Sequence, residues 1–330
     1  MKKNVAVVGA TGLVGRNMLK VLDERNFPIK NLYLFASKKS AGSTVLFQDS
    51  YYTVEELTEE NIKKCDAEIA LFSAGGEVSK TFAPIFAKQG CVVIDNSSQW
   101  RMDKSVPLVV PEVNPEQAFK HNGIIANPNC STIQAVVALK PLHDAFKIKR
   151  IVYSTYQAVS GAGKQGLYDL SDGEKGVPPK KFPHPIAHNI LPHIDVFTDD
   201  GYTKEELKMI NETRKILGDE ALRITATTAR VPVHYGHSES INVEFYNPVS
   251  RDKAIEILRS APGVVVTDDP ANNVYPMPIN AEGHDEVYVG RIRQDTSVEN
   301  GLNLWVVADN IRKGAATNAV QIAELLVKGK

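Results

Sequence analysis

The chain has 330 residues, of which 43% are hydrophobic and 23% charged, and its formal net charge is −1. At about 150 residues per domain, this length predicts two domains of ordinary globular composition. A nearly balanced charge gives no reason to expect nucleic acid or an anionic membrane as a partner.

The first part of the chain alternates short apolar strands with amphipathic helices. Strands are predicted at 5–8, 32–36, 69–72, 92–95 and 124–126, with helices after the first strand and near 78–88. Strands that are apolar on both faces and separated by helices are typical of a parallel sheet covered on both sides. We therefore predict an α/β fold with a doubly wound, Rossmann-type sheet.

The first strand runs into a glycine-rich turn, Gly9-x-x-Gly12-x-x-Gly15, that opens a helix. Such a turn lets the backbone approach a pyrophosphate at the helix N-terminus, although a turn without a ligand is the alternative. The second strand ends in Lys38 and Lys39, where NAD-binding units usually carry an acid. A 2′-phosphate is attracted by lysine and repelled by a carboxylate, so we predict NADP, the alternative being a solvated turn.

The second half of the chain has a different pattern. Longer, partly alternating strands are predicted at 151–159, 224–233, 240–246, 264–267, 287–293 and 302–308, with helices near 204–217 and 251–260. This order predicts an α+β domain with a mixed or antiparallel sheet. The apolar helix at 314–327 is expected to return to the first domain. We divide the chain into a cofactor domain of 1–129 and 311–330 and a second domain of 130–310.

Cys130 stands between a short strand and a long apolar helix, which Ser131 or Thr132 is expected to cap. A helix N-terminus presents unpaired N–H groups and a partial positive charge, and both stabilise thiolate over thiol. The pattern therefore favours a nucleophile. The alternative is a small buried side chain, the usual state of a cysteine inside a protein.

A catalytic cysteine needs an acid or base nearby, and the stretch 229–240 offers two histidines. It leaves a strand and turns at Gly236, and the spacing does not choose between His234 and His237. Arg230, on the preceding strand, can bind a carboxylate or phosphate through its planar fork.

Other polar residues are weaker candidates. His184 and His188 have helical spacing, but the neighbouring prolines favour a solvated loop or a subunit contact over a metal site. Glu205 and Lys208 would share one helix face, most simply as an exposed ion pair. Arg101 follows a strand at the carboxyl edge of the parallel sheet, where ligands bind in such folds, although lone surface arginines are common.

The number and spacing of the cysteines also indicate the cellular compartment of the protein. Cys65, Cys91 and Cys130 are widely spaced and form no C-x-x-C pair, which argues against a disulfide framework and a structural zinc site. We find no secretory apolar segment and no apolar run near the ~20 residues of a membrane span. We expect a cytoplasmic protein without a metal site.

The segments 7–12, 128–132, 154–163 and 230–239, in this order, resemble the aspartate-semialdehyde dehydrogenase family, and the similarity covers nearly the whole chain. The resemblance implies NADPH-dependent reductive dephosphorylation of L-4-aspartyl phosphate to L-aspartate 4-semialdehyde through a thioester on Cys130. This is an early step of lysine (diaminopimelate), threonine and methionine biosynthesis. The resemblance also implies that 130–310 is the catalytic and dimerisation domain of a homodimer, with a homotetramer open.

The resemblance assigns site residues by position. It makes Cys130 the nucleophile, His237 the acid/base and Gln157 the residue that positions the substrate at the reacting carbon. It implies that Arg230, Gln157 and Glu205 bind substrate, with Glu206 as the alternative to Glu205, and that Arg101, Asn129 and Lys208 bind phosphate. The cofactor contacts expected from motif and resemblance are Gly9, Thr11, Gly12, Leu13, Val14, Gly15, Ser37, Lys39, Ser40, Ser73, Gly75, Ser160, Gly161 and Asn310.

The family often has arginine where Lys39 stands. Lysine keeps the charge but loses the bidentate fork, so discrimination for the 2′-phosphate is expected to be weaker. Two rival functions remain at this point. One is another cysteine-dependent acyl-phosphate reductase, such as N-acetyl-glutamyl-phosphate reductase or a glyceraldehyde-phosphate dehydrogenase. The other is a non-catalytic NADP-binding sensor.

Overall fold

The computed structural model describes residues 1–329. The chain forms two compact units. The first consists of Met1–Asn129 and the C-terminal segment that begins at Ala315, and the second consists of Cys130–Gly314. The return to the first unit begins at Ala315 and not at the predicted residue 311. The reason is local: the Asp309 carboxylate of the second unit accepts the backbone N–H groups of Ile311 and Arg312 at 2.8 and 3.0 Å.

The first unit contains a seven-stranded sheet in the order β3-β4-β2-β1-β5-β6-β7. Its strands are β1 Lys3–Val8, β2 Ile29–Ala36, β3 Thr44–Phe47, β4 Ser50–Glu56, β5 Ile69–Phe72, β6 Val92–Asp95 and β7 Ile124–Ala126. All neighbours pair in parallel except β3 and β4. The predicted doubly wound sheet is confirmed. The β3–β4 hairpin was not predicted, because β3 has only four residues and β4 is largely exposed, with a single buried residue.

Helices cover both faces of this sheet. They are α1 Leu13–Glu24, α2 Glu59–Lys64, α3 Gly76–Lys88 and α9 Thr317–Lys328, with a short 3-10 helix at Pro115–Lys120. On one face, α1 and α9 bury Met18, Leu22 and Ile322 against the strands. On the other, the Phe86 ring of α3 meets Phe35 and Phe72 edge to face, at centroid distances of 5.9 and 5.4 Å. Within residues 1–329 we find no helix long and apolar enough to cross a bilayer.

The second unit is built on a six-stranded mixed sheet in the order β11-β12-β13-β10-β8-β9. Its strands are β8 Ile148–Gln157, β9 Arg223–Arg230, β10 His237–Phe245, β11 Val264–Val266, β12 Val287–Gln294 and β13 Gly301–Ala308. Its helices are α4 Cys130–Phe146, α5 Lys164–Gly173, α6 Lys204–Leu217, α7 Arg251–Ser260 and α8 Pro278–Ala281. The predicted α+β organisation is confirmed, with β10 as an inner strand antiparallel to both neighbours.

Helix α4 is the central helix of this unit. Its residues 131–139 are all buried, because the helix packs on β8, β10 and β13 and against α6 and α7. The helix begins at Cys130, so the prediction that Ser131 or Thr132 caps it is wrong. Both residues lie inside the first turn, where Thr132 contacts the Met209 sulfur at 3.6 Å. The thiol therefore belongs to the first helical residue.

Candidate active site

Cys130 and His237 meet at the start of two elements. Cys130 is the first residue of α4, His237 is the first residue of β10, and Cys130 Sγ lies 3.2 Å from His237 Nε2. Gly236, with a φ of +85°, makes the turn that delivers His237 to the strand. His237 is fully buried, whereas His234 is exposed. Tertiary structure therefore distinguishes two histidines that spacing left equivalent.

The His237 ring is held at both nitrogens. Its Nδ1 accepts the backbone N–H of Ala158 at 3.0 Å, on the side away from Cys130. The Gln134 side chain of α4 donates to the His237 carbonyl at 3.2 Å and ties the strand to the helix. Burial, reinforced by the Arg230 charge, keeps the pKa of His237 well below its ordinary value. The imidazole is therefore neutral at physiological pH.

Gln157 ends β8 beside this pair. Its Nε2 lies 3.5 Å from His237 Nε2 and donates to Glu205 Oε1 at 3.1 Å. Its Oε1 accepts the Thr155 hydroxyl at 3.0 Å. The Gln157 amide is thus oriented at both its oxygen and its nitrogen, next to the His237 ring.

Glu205 and Glu206 have different roles in the structure. Glu206 accepts the backbone N–H groups of Thr203 and Thr228, at 2.7 and 3.0 Å, and so completes the capping box of α6. Glu205 is buried and points to Gln157 and to Lys208, whose Nζ lies 3.0 Å from Glu205 Oε2. The geometry therefore separates a capping carboxylate from one that faces the site.

Lys208 is more enclosed than the exposed pair expected from spacing. Its Nζ also donates to Asp195 Oδ2 at 2.7 Å. Burial alone would lower the pKa of Lys208, but the carboxylates of Glu205 and Asp195 outweigh it and raise that pKa. The ammonium group is therefore charged. Asp195 was missed by the sequence reasoning, because it lies in an irregular loop with no motif around it.

Arg230 is buried at the end of β9, where its Nη1 donates to the Ala158 carbonyl at 2.8 Å. A Cβ on Gly161 would lie 2.8 Å from that Nη1 and 3.3 Å from His237 Cε1. A glycine is needed there because any side chain would displace the arginine or the imidazole. The predicted residues Arg230, Gly161 and His237 thus line one compact space.

Asn310 and Ser160 support this space from behind. Asn310 Oδ1 accepts the Gly236 N–H at 3.0 Å, and its Nδ2 donates to Ser160 Oγ at 3.0 Å. Both residues were predicted to contact the cofactor. In the structure their side chains bond each other and hold the turn before His237.

In the first unit, Arg101 connects the loops that follow β6 and β7. Its Nε donates to the Asn127 carbonyl and its Nη2 to the Asn96 carbonyl, both at 2.9 Å. Arg101 and Asn129 are both buried. The two predicted phosphate ligands of this unit therefore lie at the carboxyl edge of its sheet, where ligands bind in doubly wound folds.

The glycine-rich turn fits a dinucleotide. A Cβ on Gly15 would lie 2.2 Å from the Gly9 carbonyl oxygen, so only glycine lets α1 start this close to β1. Gly9 has a φ of +83°, and Gly12 is the N-cap of α1. The same turn contains Thr11, and the helix begins with Leu13 and Val14. Beside the turn, Ser73 Oγ donates a hydrogen bond to the Val8 carbonyl.

The rest of the predicted cofactor set lies at neighbouring strand ends. Gly75 is the N-cap of α3, so a second helix N-terminus follows β5. Ser37 and Lys39 are exposed in the turn after β2, and the Ser40 N–H donates to the Ser37 carbonyl at 2.8 Å.

Comparison with known proteins identifies the family. The semialdehyde dehydrogenase NAD binding domain matches residues 4–121, and the semialdehyde dehydrogenase dimerisation domain matches residues 139–313. The aspartate-semialdehyde dehydrogenase of Aquifex aeolicus (strain VF5) is 62% identical, with 99% of each chain covered. That of Legionella pneumophila is 55% identical, over 98% of this chain and 95% of that protein.

The chain belongs to the aspartate-semialdehyde dehydrogenase family. The crystal structure of aspartate semialdehyde dehydrogenase II from Vibrio cholerae superposes with a TM-score of 0.94 at 49% identity, covering 99% of both chains. That enzyme has also been solved in complex with ASA. The enzyme from Candida albicans, solved with NADP, has a TM-score of 0.79 at 28% identity, with 99% of both chains covered.

This aspartate-semialdehyde dehydrogenase family member also buries a carboxyl group that sequence reasoning did not single out. Glu239 is fully buried two residues beyond His237, on the same face of β10. Among the described residues, neither of its carboxyl oxygens has a hydrogen-bond partner of good geometry. Burial raises the pKa of Glu239 well above its ordinary value, and the Ser131 side chain offsets this in part. Burial therefore favours the protonated form of Glu239 in the folded protein.

Glu239→Gln is expected to stabilise the protein increasingly as pH rises. The unfolded carboxyl ionises near pH 4.3, whereas burial raises the pKa of the folded one, so wild-type stability falls as pH rises above 4.3, by at most about 1.4 kcal/mol per pH unit. Glutamine cannot ionise, so the variant does not lose stability with rising pH in this way. We expect the melting temperature of the variant, relative to wild type, to increase between about pH 5 and 8. The matched variant is Glu244→Gln, at the other end of β10. It breaks an ion pair with Lys149 of β8 and should show no such trend. A difference for Glu239→Gln that does not change with pH would contradict a protonated Glu239.

Proposed function

We propose that this protein catalyses the NADPH-dependent reductive dephosphorylation of L-4-aspartyl phosphate to L-aspartate 4-semialdehyde. The observation that carries the proposal is the 3.2 Å contact of Cys130 Sγ with His237 Nε2, beside the Gln157–Glu205 hydrogen bond. The relatives that are 62% and 55% identical over nearly the full chain are named aspartate-semialdehyde dehydrogenase.

We assign the nucleophile to Cys130. Its thiolate is stabilised by the N-terminus of α4 and by the Nε2 of His237, and a thiolate can both attack an acyl phosphate and leave a hemithioacetal. A backbone N–H of the first helical turn is available to the developing oxyanion. His237 is the proton partner that the family pattern provides, and Gln157 orients the substrate carbonyl.

The charges of the site match a substrate with an amino group and two anionic groups. We assign the substrate carboxylate to Arg230, whose planar fork binds carboxylates in a bidentate manner. We assign the substrate amino group to Glu205. The phosphate contacts are assigned to Arg101, Asn129 and Lys208.

We propose that the cofactor is NADP, which supplies the hydride when bound. Support comes from the glycine-rich turn, the helix N-termini after β1 and β5, and the absence of an acid in the sequence 36–40 at the end of β2. We assign Gly9, Gly12 and Gly15 to the pyrophosphate and Lys39 to the 2′-phosphate.

Beyond the single chain, we propose a cytoplasmic homodimer formed by the dimerisation domain, with a homotetramer as the alternative assembly. Its product would feed lysine (diaminopimelate), threonine and methionine biosynthesis. A non-catalytic sensor would not need the nucleophile, its histidine and the paired substrate charges together.

Cys130→Ala is expected to abolish phosphate-dependent formation of NADPH from aspartate semialdehyde and NADP, because no thioester can form. NADP binding and the melting temperature should remain near wild type. Cys91→Ala is the matched control: this thiol is 1% exposed and burial raises its pKa, so its loss should cost little activity. Substantial activity in Cys130→Ala, or none in wild type with NADP or NAD, would refute the proposed function.

Lys39→Glu is expected to weaken NADP binding by about 10- to 100-fold, since a charge-assisted hydrogen bond contributes about 1.5–3 kcal/mol. NAD binding should change much less, because NAD lacks the 2′-phosphate. Lys38→Glu introduces the same charge one residue earlier and serves as the control. Equal losses for NADP and NAD in Lys39→Glu would exclude a specific contact.

The variants Glu205→Gln and Glu206→Gln should have different effects, the first on substrate binding and the second on the stability of the fold. Glu205→Gln is expected to raise the KM for aspartate semialdehyde about tenfold or more with little change in stability, because only the charge toward the substrate is lost. Glu206→Gln should lower the free energy of unfolding by about 1 kcal/mol or more, with KM nearly unchanged, because the α6 cap is weakened. The reverse pattern would show that Glu206 contacts the substrate.

A further inference from the structure

Arg101 is held by the backbone of two loops in the first unit. Its Nε donates to the Asn127 carbonyl and its Nη2 donates to the Asn96 carbonyl, both at 2.9 Å. Hydrogen bonds from two nitrogens of one planar guanidinium fix the plane of the group as well as its position. The direction in which Arg101 can bind an anion therefore depends on where these two carbonyls lie.

The two residues that supply these carbonyls are bonded to each other through their side chains. Asn127 Nδ2 donates to Asn96 Oδ1 at 2.7 Å. Both backbones are also tied to the sheet. The Asn96 N–H donates to the Phe72 carbonyl at 3.0 Å, and the Asn127 N–H donates to the Asp95 carbonyl at 2.8 Å. The pair Asn96–Asn127, at the carboxyl ends of β6 and β7, therefore sets the spacing of the two carbonyls.

The C-terminal helix α9 orients the Asn127 amide. Asn318 Nδ2 donates to Asn127 Oδ1 at 2.7 Å and to the Val109 carbonyl at 3.0 Å. Asn127 Nδ2 also donates to the Ala315 carbonyl, just before α9, at 3.2 Å. A backbone carbonyl can only accept, so the Val109 and Ala315 carbonyls determine which end of each amide is the nitrogen. The donors run in one direction, from Asn318 through Asn127 to Asn96.

This amide network is buried. Asn127 and Asn318 have no exposed surface, and Arg101 is 7% exposed. A buried amide is tolerated only when its hydrogen bonds are made, and apolar side chains would carry no such requirement. Helix α9 already packs on the sheet through fully buried apolar residues such as Ala319 and Ile322. Docking of the helix therefore does not account for the two polar side chains, whereas holding the carbonyls that bind Arg101 does.

We propose that Asn127 and Asn318 are positioning residues for the phosphate site, because they hold Arg101 in the orientation that binds phosphate. This inference rests on the proposed function, which assigns the phosphate to Arg101, and deepens it. Asn318 orients the Asn127 amide, and Asn127 in turn places the two carbonyls that fix the guanidinium. Without the Asn318 amide, Arg101 keeps its charge but loses its fixed orientation, so phosphate binding weakens selectively.

The variant Asn318→Leu removes both donated hydrogen bonds and keeps a side chain of similar size. In the phosphate-dependent oxidation of aspartate semialdehyde, we expect the KM for phosphate to rise about fivefold, the value of roughly one hydrogen bond. The KM values for aspartate semialdehyde and NADP should change by less than about twofold. An unchanged KM for phosphate, or an equal rise in all three KM values, would overturn the proposal.

Gln321→Leu is the matched control. Gln321 lies about one turn further along α9, and its Nε2 donates to Glu112 Oε1 at 2.9 Å. The same substitution there removes a hydrogen bond from the same helix without reaching the Asn127 amide. All three KM values should therefore stay near wild type, and a rise in the KM for phosphate equal to that in Asn318→Leu would count against the proposal.

A double-mutant cycle with Arg101→Lys tests whether Asn318 acts through the guanidinium. Lysine keeps the positive charge but has no planar fork, so the orientation set by the two carbonyls no longer matters. In the Arg101→Lys background we expect Asn318→Leu to raise the KM for phosphate by less than about twofold, because the two residues belong to one network. The same fivefold rise in both backgrounds would show that Asn318 acts by another route.

A second readout does not require activity. Solvent exchange of the Arg101 Nε–H is measured by ¹⁵N NMR of the full-length protein, the signal being the one missing in Arg101→Lys. We expect exchange at least about tenfold faster in Asn318→Leu than in wild type, and unchanged exchange in Gln321→Leu. Equal exchange in wild type and Asn318→Leu would refute the positioning role. If wild type lacks phosphate-dependent activity, the proposed function fails while this measurement still reports the positioning. Should Asn318→Leu not fold, Asn318→Asp, which keeps the size and loses at least one donor, takes its place with the same expectations.

Discussion

The chemistry of the second unit depends on one contact, between the first residue of α4 and the first residue of β10. The two atoms lie 3.2 Å apart because both elements are fixed by burial. Residues 131–139 of α4 are buried on every side, and β10 pairs with a strand on each edge. A shift of either element would break ladder hydrogen bonds or open a void in a close-packed core. The distance between the Cys130 thiol and the His237 ring therefore depends on the packing of the whole unit.

The charged residues of this unit are arranged in alternation around that contact. Arg230 lies beside the imidazole, Glu205 follows through Gln157, and Lys208 bridges Glu205 and Asp195. Buried charges are tolerated when each has a partner of opposite sign or a hydrogen bond. The same alternation offers separate positions for an ammonium group and for anions. The same ion pairs and hydrogen bonds thus offset the desolvation of these charges and support the proposed substrate contacts.

Most of the fold was predictable from periodicity, because the strands of the first unit are buried on both faces and read as continuous apolar runs. The β3–β4 hairpin was not, since β3 has only four residues and β4 is largely exposed. The start of α4 was also misplaced. Ser131 and Thr132 are good capping residues by type, but tertiary packing started the helix at Cys130 and buried both hydroxyls.

The sequence by itself determined the two-domain α/β and α+β organisation, the glycine-rich turn, the helix-terminal cysteine and the family resemblance. These features are local patterns of residue type and spacing, which a single chain displays directly. Residue spacing did not distinguish His237 from His234 or Glu205 from Glu206, whereas the tertiary structure separates both pairs by burial and contacts and also reveals the buried Glu239. Only the tertiary structure placed the Ala158 N–H on Nδ1 of His237. Such distinctions depend on which backbone groups meet across distant strands, and residue spacing along the chain does not contain that information.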